Sequence, residues 1–263
     1  MKIGISTASL FLKVLTEDSL ETLRGMGADT TELFLSTFSE YEEDFVRAVA
    51  AESSGVDIHS IHVLSTQFEP QLFSAHKRVR SDAEYWLHKV CAAGCILGAK
   101  YYTFHGPLVL KKSPYNLNIG GFADRLNELT GIAAEYGITI CYENIHYGFF
   151  SRPEFFRELA EKCPKIGACL DIKHAYFAGV DPSEYMDAAG GRLHTVHVVD
   201  ITDAGNVVLP GRGSYDFAKL FADMKKRGID APVLIEAYAK NFEKLPELKT
   251  AYDYLVDKYN GGI

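Results

Sequence analysis

The sequence lacks the features of a membrane-spanning or exported chain. No apolar stretch approaches the roughly 20 residues that a helix needs to cross a bilayer. The first residues, 1–6, read as a β-strand and lack the charged, apolar and small-residue regions of a signal peptide. We therefore expect a cytoplasmic protein with no membrane partner.

Clustered cysteines and basic runs are also missing. The five cysteines include no C-x-x-C pair, which favours free or buried thiols over a disulfide framework or a thiolate metal site. The formal net charge is −8 and no long basic run occurs. Because proteins bind phosphate backbones through clustered Lys and Arg, nucleic acid is not expected as the main partner.

Short apolar segments alternate with segments of helical period along the whole chain. The strand candidates, rich in β-branched and aromatic residues, are 2–6, 31–35, 58–63, 100–105, 138–143, 166–171, 193–200 and 232–237. Repeated strand–helix alternation predicts parallel strands joined by helical crossovers. The 263 residues also suit a (β/α)₈ TIM barrel, which needs about 250.

We therefore predict an α/β fold, a single TIM-barrel domain over residues 1–263. The alternative is an open doubly wound sheet, but no G-x-G-x-x-G turn follows the first strand. In TIM barrels the active site lies at the C-terminal ends of the strands. Polar residues are expected there if the chain is an enzyme.

Titratable side chains do occur within or directly after the predicted strands. They are Glu32, His62, His105, Glu143, Asp171, His174, His197, Asp200 and Glu236. Any one of them is explained by structural hydrogen bonding. Three carboxylates at one barrel mouth, however, would repel one another and raise their pKa values unless a cation joins them.

A divalent cation would relieve this repulsion. Glu143, Asp171 and Glu236 supply carboxylate oxygens and His197 supplies an imidazole. This donor set favours Mn²⁺, Mg²⁺ or Co²⁺, with Zn²⁺ as an alternative. We predict one divalent metal ion held by these four residues.

The sequence resembles the xylose isomerase-like sugar phosphate isomerase/epimerase family over nearly its whole length. The resemblance rests on short motifs in the same order, each after a predicted strand: Tyr142-Glu143-Asn144, Leu170-Asp171-Ile172-Lys173-His174 with Ala178-Gly179, Val196-His197-Val198-Val199-Asp200, Pro210-Gly211-Arg212-Gly213 and Ile235-Glu236. It implies a barrel with ketose 3-epimerase chemistry. In those epimerases a Glu, an Asp, a His and a Glu hold the metal, and these match Glu143, Asp171, His197 and Glu236.

The resemblance also implies a reaction. Glu143 and Glu236 would form the acid–base pair on opposite faces of a sugar or hydroxyketone substrate. The metal would polarise the substrate carbonyl while one glutamate removes a neighbouring proton. Return of a proton to the opposite face gives epimerisation, and return to the neighbouring carbon gives isomerisation.

Five further residues are candidates for substrate binding. His62, His105 and His174 could hold substrate hydroxyls or merely stabilise loops. Arg212 could meet a substrate anion, because barrels often bind phosphate with the loops after their last two strands, or it could be a solvated turn residue. Glu32 could contact substrate or brace the barrel mouth.

Other functions share this pattern. A dehydratase of an inosose-type keto-polyol, or a hydroxypyruvate isomerase, would use the same metal and glutamates. A non-catalytic sugar-binding barrel would not need both glutamates. A zinc apurinic endonuclease would need a D-x-H pair where Gly205-Asn206-Val207 stands. Barrels often form dimers or tetramers, but no sequence feature identifies an interface.

Overall fold

The computed structural model describes residues 1–108 and 118–261 of the chain. The predicted strand–helix alternation is confirmed. The strands are β1 (Ile3–Ile5), β2 (Thr30–Leu35), β3 (Asp57–Val63), β4 (Tyr101–Phe104), β5 (Thr139–Glu143), β6 (Gly167–Asp171), β7 (Leu193–Val198), β8 (Asp200–Ile201), β9 (Val207–Val208) and β10 (Val233–Ile235).

Eight of these strands form one parallel sheet in the order β1-β10-β7-β6-β5-β4-β3-β2. The two ends of the sheet meet, since the Thr31 hydroxyl of β2 donates to the Ile5 carbonyl of β1 at 2.6 Å. The sheet is therefore a barrel, as the alternation predicted, and the open doubly wound alternative is wrong. The fold is a (β/α)₈ TIM barrel.

Helices surround the barrel. They are α1 (Thr16–Met26), α2 (Glu43–Ala51), α3 (Lys77–Leu97), α4 (Ile119–Glu135), α5 (Pro153–Lys162), α6 (Ile172–Ala178), α7 (Pro182–Ala189), α8 (Phe217–Lys226) and α9 (Leu245–Gly261). Gly27 and Gly98 end α1 and α3 with φ of 82° and 75°, the left-handed conformation that glycine adopts without strain. Among the described residues, no helix is long and apolar enough to cross a membrane.

The seventh predicted strand is a correction. The sequence pattern predicted that this strand continues to residue 200, but β7 ends at Val198. Asp200 begins β8, which pairs with β9 in an antiparallel arrangement. The reason lies in the Asp200 side chain. Its buried carboxylate accepts backbone N–H groups from Ile201, Gly211 and Gly213 at 2.8–3.0 Å, which draws the chain into a local hairpin and loop.

The barrel is lined by strands buried on both faces. Residues 30–35 of β2 and 167–171 of β6 are buried along their whole length. Glu32, Glu143, Asp171 and His197 are buried polar residues, and they lie close to one another at the strands. All five cysteines are free thiols, as expected.

Candidate metal centre

The four residues predicted to bind metal converge at the C-terminal end of the barrel. Glu143 and Asp171 are the last residues of β5 and β6, His197 lies in β7, and Glu236 directly follows β10. One potential ligand atom from each lies within 4.8 Å of the other three. Neighbouring parallel strands therefore bring together residues that are far apart in sequence.

The spacing and the donor chemistry both suit one cation. Two oxygens bound on opposite sides of an ion at about 2.1 Å lie about 4.2 Å apart, so the cluster is close to the required size. Glu143 Oε1 is buried, and it has no hydrogen-bond donor among the described residues. A buried carboxylate oxygen without a donor is costly, and a cation would satisfy it.

His197 turns its Nδ1 atom towards the two glutamates. Nδ1 lies 3.3 Å from Glu236 Oε2 and 3.5 Å from Glu143 Oε1. Its other nitrogen, Nε2, lies 3.0 Å from Glu32 Oε1, a contact that is not aligned as a hydrogen bond. Metal-binding histidines commonly have a carboxylate behind the second ring nitrogen, and Glu32 occupies that place.

Glu32 itself is fully buried within the barrel. It accepts hydrogen bonds from the hydroxyls of Ser6 at 3.2 Å and Ser60 at 2.9 Å, and from Thr103. The residue after β1 and the strands β3 and β4 thus fix its carboxylate beside His197. The sequence left two roles open for Glu32, contact with substrate or stabilisation of the barrel mouth. These contacts support stabilisation.

Glu143 and His105 form the closest pair in the cluster. His105 Nε2 lies 2.7 Å from Glu143 Oε2, and its Nδ1 lies 2.9 Å from the Ser65 hydroxyl. The backbone N–H groups of His105 and Gly106 donate to Glu69 at 2.9 Å. Glu69, a buried carboxylate that sequence reasoning missed, therefore fixes the loop that carries His105.

His62 stands in a similar relation to Glu236. Its Nδ1 lies 3.0 Å from the Thr103 carbonyl oxygen, to which it donates, so Nε2 is turned inward, 3.9 Å from Glu236 Oε1. Each glutamate therefore has one oxygen near His197 Nδ1 and the other facing a different imidazole. Glu236 is 13% exposed and Glu143 is fully buried, so solvent reaches the pair at Glu236.

Asp171 connects the group of four proposed metal ligands to the start of α6. Its Oδ1 accepts the backbone N–H groups of Lys173 and His174 at 2.6 and 3.1 Å and caps that helix. Asn144 clamps the Asp171 backbone, accepting its N–H at 2.7 Å and donating to its carbonyl at 3.0 Å. Only Oδ2 of Asp171 is left to face the cluster.

His174 lies at the edge of this group. Its Nε2 is 4.0 Å from Asp171 Oδ2, and its Nδ1 is 2.7 Å from Nδ1 of His146. One of the two facing nitrogens must carry the proton, so the imidazoles share a hydrogen bond. His146, with the exposed ring of Tyr147 beside it, was not singled out by the sequence.

The electrostatics keep both glutamates ionised. Burial alone would raise the pKa of Glu143, but the His105 and His197 imidazoles hold it well below its usual range. Burial also opposes the charge on Glu236, and His197 again lowers that pKa. Burial lowers the pKa of His105, yet the Glu143 carboxylate outweighs this and raises it to about 9.

The structure does not bring Arg212 to the cluster. Its guanidinium pairs with Glu247 Oε2 at 2.7 Å and is 48% exposed. The surrounding Pro210-Gly211-Arg212-Gly213 loop wraps the Asp200 carboxylate, and a side chain at Gly213 would collide with it. The backbone donors that could cradle a phosphate are thus bound to a side chain of the protein itself.

Comparison with known proteins agrees with the fold. The structure resembles an L-ribulose 3-epimerase with a TM-score of 0.81 and 17% identity, covering 100% of this chain and 96% of that one. It resembles D-psicose 3-epimerase from Clostridium cellulolyticum H10, crystallised with D-tagatose, with a TM-score of 0.79 and 15% identity over 99% of both chains. A third similar structure is the IolI protein with a bound zinc atom, with a TM-score of 0.80 and 20% identity, covering 100% of this chain and 99% of that one.

No curated protein sequence matches the chain significantly. A family model described as the xylose isomerase-like TIM barrel matches residues 20–257. That range contains all four residues that converge at the barrel mouth. The fold, the strand-end cluster and this match lead to one conclusion: the chain belongs to the xylose isomerase-like TIM barrel family.

Proposed function

We propose that this protein is a divalent-metal-dependent sugar epimerase or isomerase acting on a ketose, a ketose phosphate or a related hydroxyketone. The single observation that carries the proposal is the convergence of Glu143, Asp171, His197 and Glu236 on one point at the barrel mouth. Epimerase relatives with the same fold support it.

The proposed ligands are one oxygen from each carboxylate and Nδ1 of His197. For Glu143 the ligand is Oε1, which has no hydrogen-bond donor among the described residues, and for Asp171 it is Oδ2. Three carboxylates and one imidazole favour Mn²⁺, Mg²⁺ or Co²⁺, while the zinc in the IolI structure keeps Zn²⁺ as an alternative. When bound, the cation would supply Lewis acidity that makes the C–H bond next to a carbonyl more acidic.

Proton transfer would fall to the two glutamates. They come from strands separated by β6 and β7 around the barrel, so their carboxylates approach a bound molecule from different sides. Each has a second oxygen facing an imidazole, His105 for Glu143 and His62 for Glu236. One glutamate would remove the proton and the other would return one, and the imidazoles would hold each carboxylate oriented.

The remaining polar groups would position substrate. His174 lies near Asp171, and the exposed His146 contacts His174 from the other side of its ring. We propose that His62 and His174 contact substrate oxygens, as expected from sequence. His105 was expected to do the same, but its two ring nitrogens face Glu143 and Ser65, so we propose that it acts by holding Glu143. Glu32 would act only through His197. Arg212 has no part in this mechanism because its guanidinium is held by Glu247.

The test is hydrogen exchange with solvent. Protein stripped of metal and reloaded with Mn²⁺ is incubated in D₂O with free ketoses, ketose phosphates, hydroxypyruvate and keto-inositols, and deuterium uptake is followed by NMR. Chelator-sensitive exchange into a ketose, with formation of its epimer or isomer, is the expected result. Elimination of water from the keto-inositol would instead identify a dehydratase, and no exchange across the panel would refute the proposal.

A further inference from the structure

A buried lysine lies beside the proposed metal ligands. Lys173 is the second residue of α6, and its side chain is only 3% exposed. Lysine is rarely buried to this degree unless an anion accompanies it. The mechanism above leaves Lys173 without a role.

The ammonium of Lys173 approaches two oxygens that the metal would use. Nζ lies 3.0 Å from Asp171 Oδ2 and 3.9 Å from Glu236 Oε2. Asp171 Oδ2 is the oxygen left over from capping α6, and Glu236 Oε2 is the one nearest His197 Nδ1. The lysine therefore shares its anionic partners with the metal site.

Tyr238 is a further neighbour of the Lys173 ammonium. On another side, the ring of Tyr238 lies with its centroid 4.5 Å from Nζ, a cation–π contact. An ammonium has three N–H donors, and of the two carboxylate oxygens beside Nζ the nearer is Asp171 Oδ2. The side chain is held mainly by the negative charge of the cluster.

We propose that Lys173 is a positioning residue that sets the affinity of the metal centre. Its positive charge competes with the divalent ion for Asp171 Oδ2 and Glu236 Oε2, so the protein holds its ion more weakly and exchanges it more readily than three carboxylates and an imidazole would alone. This inference rests on the metal site of the proposed function.

Competition between Lys173 and the metal ion predicts an unusual effect of substitution on metal affinity. Most substitutions beside a metal ligand weaken metal binding, because they disturb the ligand. Removal of a competing charge does the opposite, since like charges a few ångströms apart repel strongly in a buried site. A purely structural lysine cannot give tighter binding when it is lost.

The experiment is a Mn²⁺ titration of purified, chelator-treated full-length protein, with free Mn²⁺ followed by electron paramagnetic resonance. The variants are Lys173→Met, which removes the charge at similar length, Lys173→Gln, which keeps an N–H donor, and Lys173→Arg, which keeps the charge. Lys2→Met is the matched control, because Lys2 is exposed and pairs with Asp57 at 2.9 Å, outside the cluster. Circular dichroism establishes that each variant is folded.

We expect Lys173→Met and Lys173→Gln to bind Mn²⁺ at least tenfold more tightly than the wild type. Lys173→Arg and Lys2→Met should stay within about threefold of the wild type, a difference of less than about 0.7 kcal/mol. Equal or weaker binding by both uncharged variants would overturn the role of Lys173 while leaving the metal site intact. If neither the wild type nor these variants bind Mn²⁺ or the alternative ion Zn²⁺, the metal site and the proposed function are refuted as well.

Discussion

The carboxylate of Glu32 lies 3.0 Å from Nε2 of His197, on the opposite side of the imidazole from Glu143 and Glu236. Both residues are fully buried, and three hydroxyl groups hold the Glu32 carboxylate in place. The contact therefore fixes the orientation of the ring. It leaves Nδ1 to face the proposed metal position.

Substitution of Glu32 by Gln tests this relationship. The amide keeps the size of the side chain but loses the negative charge that favours a proton on Nε2 and an unprotonated Nδ1. We expect Mn²⁺ affinity to fall by about 10- to 100-fold, measured by calorimetric titration. Ser60→Ala is the control, because it removes one hydrogen bond to Glu32 and keeps the carboxylate. Unchanged affinity in Glu32→Gln would mean that this carboxylate only fills the barrel.

A second prediction concerns Arg212. Because its guanidinium is paired with Glu247, Arg212→Gln should leave kcat/KM unchanged for phosphorylated and unphosphorylated substrates alike. Its effect should be a small loss of stability, matched by Glu247→Gln, as is typical of an exposed pair. A selective loss of activity on phosphorylated substrates would show that Arg212 leaves Glu247 to bind a phosphate.

The stability contributed by Glu247 should depend on pH in the acid range. The Lys244 backbone N–H and the Arg212 guanidinium lower the pKa of Glu247 from 4.5 to about 2 in the folded protein. A carboxyl whose pKa falls on folding contributes stability above the unfolded-state pKa and loses it as pH drops towards the folded-state pKa.

Urea unfolding of wild type and Glu247→Gln checks this expectation. The difference between their midpoints should be constant from pH 7 to about 5.5 and should shrink between pH 4.5 and 3. We expect the difference to be small, since solvent screens an exposed pair. A difference that grows on acidification would have the wrong sign and would exclude this assignment.

Much of the fold could be predicted because its signal is local. A strand buried on both faces is a short apolar run, and a glycine such as Gly98 marks the left-handed turn that ends a helix. The end of β7 was placed wrongly, because Asp200 looks like part of an alternating strand. Its side chain instead accepts hydrogen bonds from backbone N–H groups as far along the chain as Tyr215. No local sequence pattern reveals these contacts.

The convergence of the proposed metal ligands could be predicted for a similar reason. In a barrel of parallel strands, the last residues of successive strands must meet, so Glu143 and Asp171 were placed by strand order alone. Lys173 and Glu69 could not be placed in this way. Lys173 follows Asp171 in what reads as an ordinary helix start, and Glu69 lies in a loop between short 3₁₀ turns. Their burial depends on tertiary packing.

The most direct test of the central claim is deuterium exchange by single glutamate variants. Glu143→Gln and Glu236→Gln would be loaded with Mn²⁺, checked for bound metal, and assayed in D₂O on the substrate that the wild type exchanges. Because each change removes a proton acceptor while keeping the side-chain shape, we expect exchange and turnover to fall by about 10²- to 10⁴-fold with the barrel still folded. Wild-type rates in either metal-loaded variant would contradict the assignment of these two carboxylates as the acid–base pair.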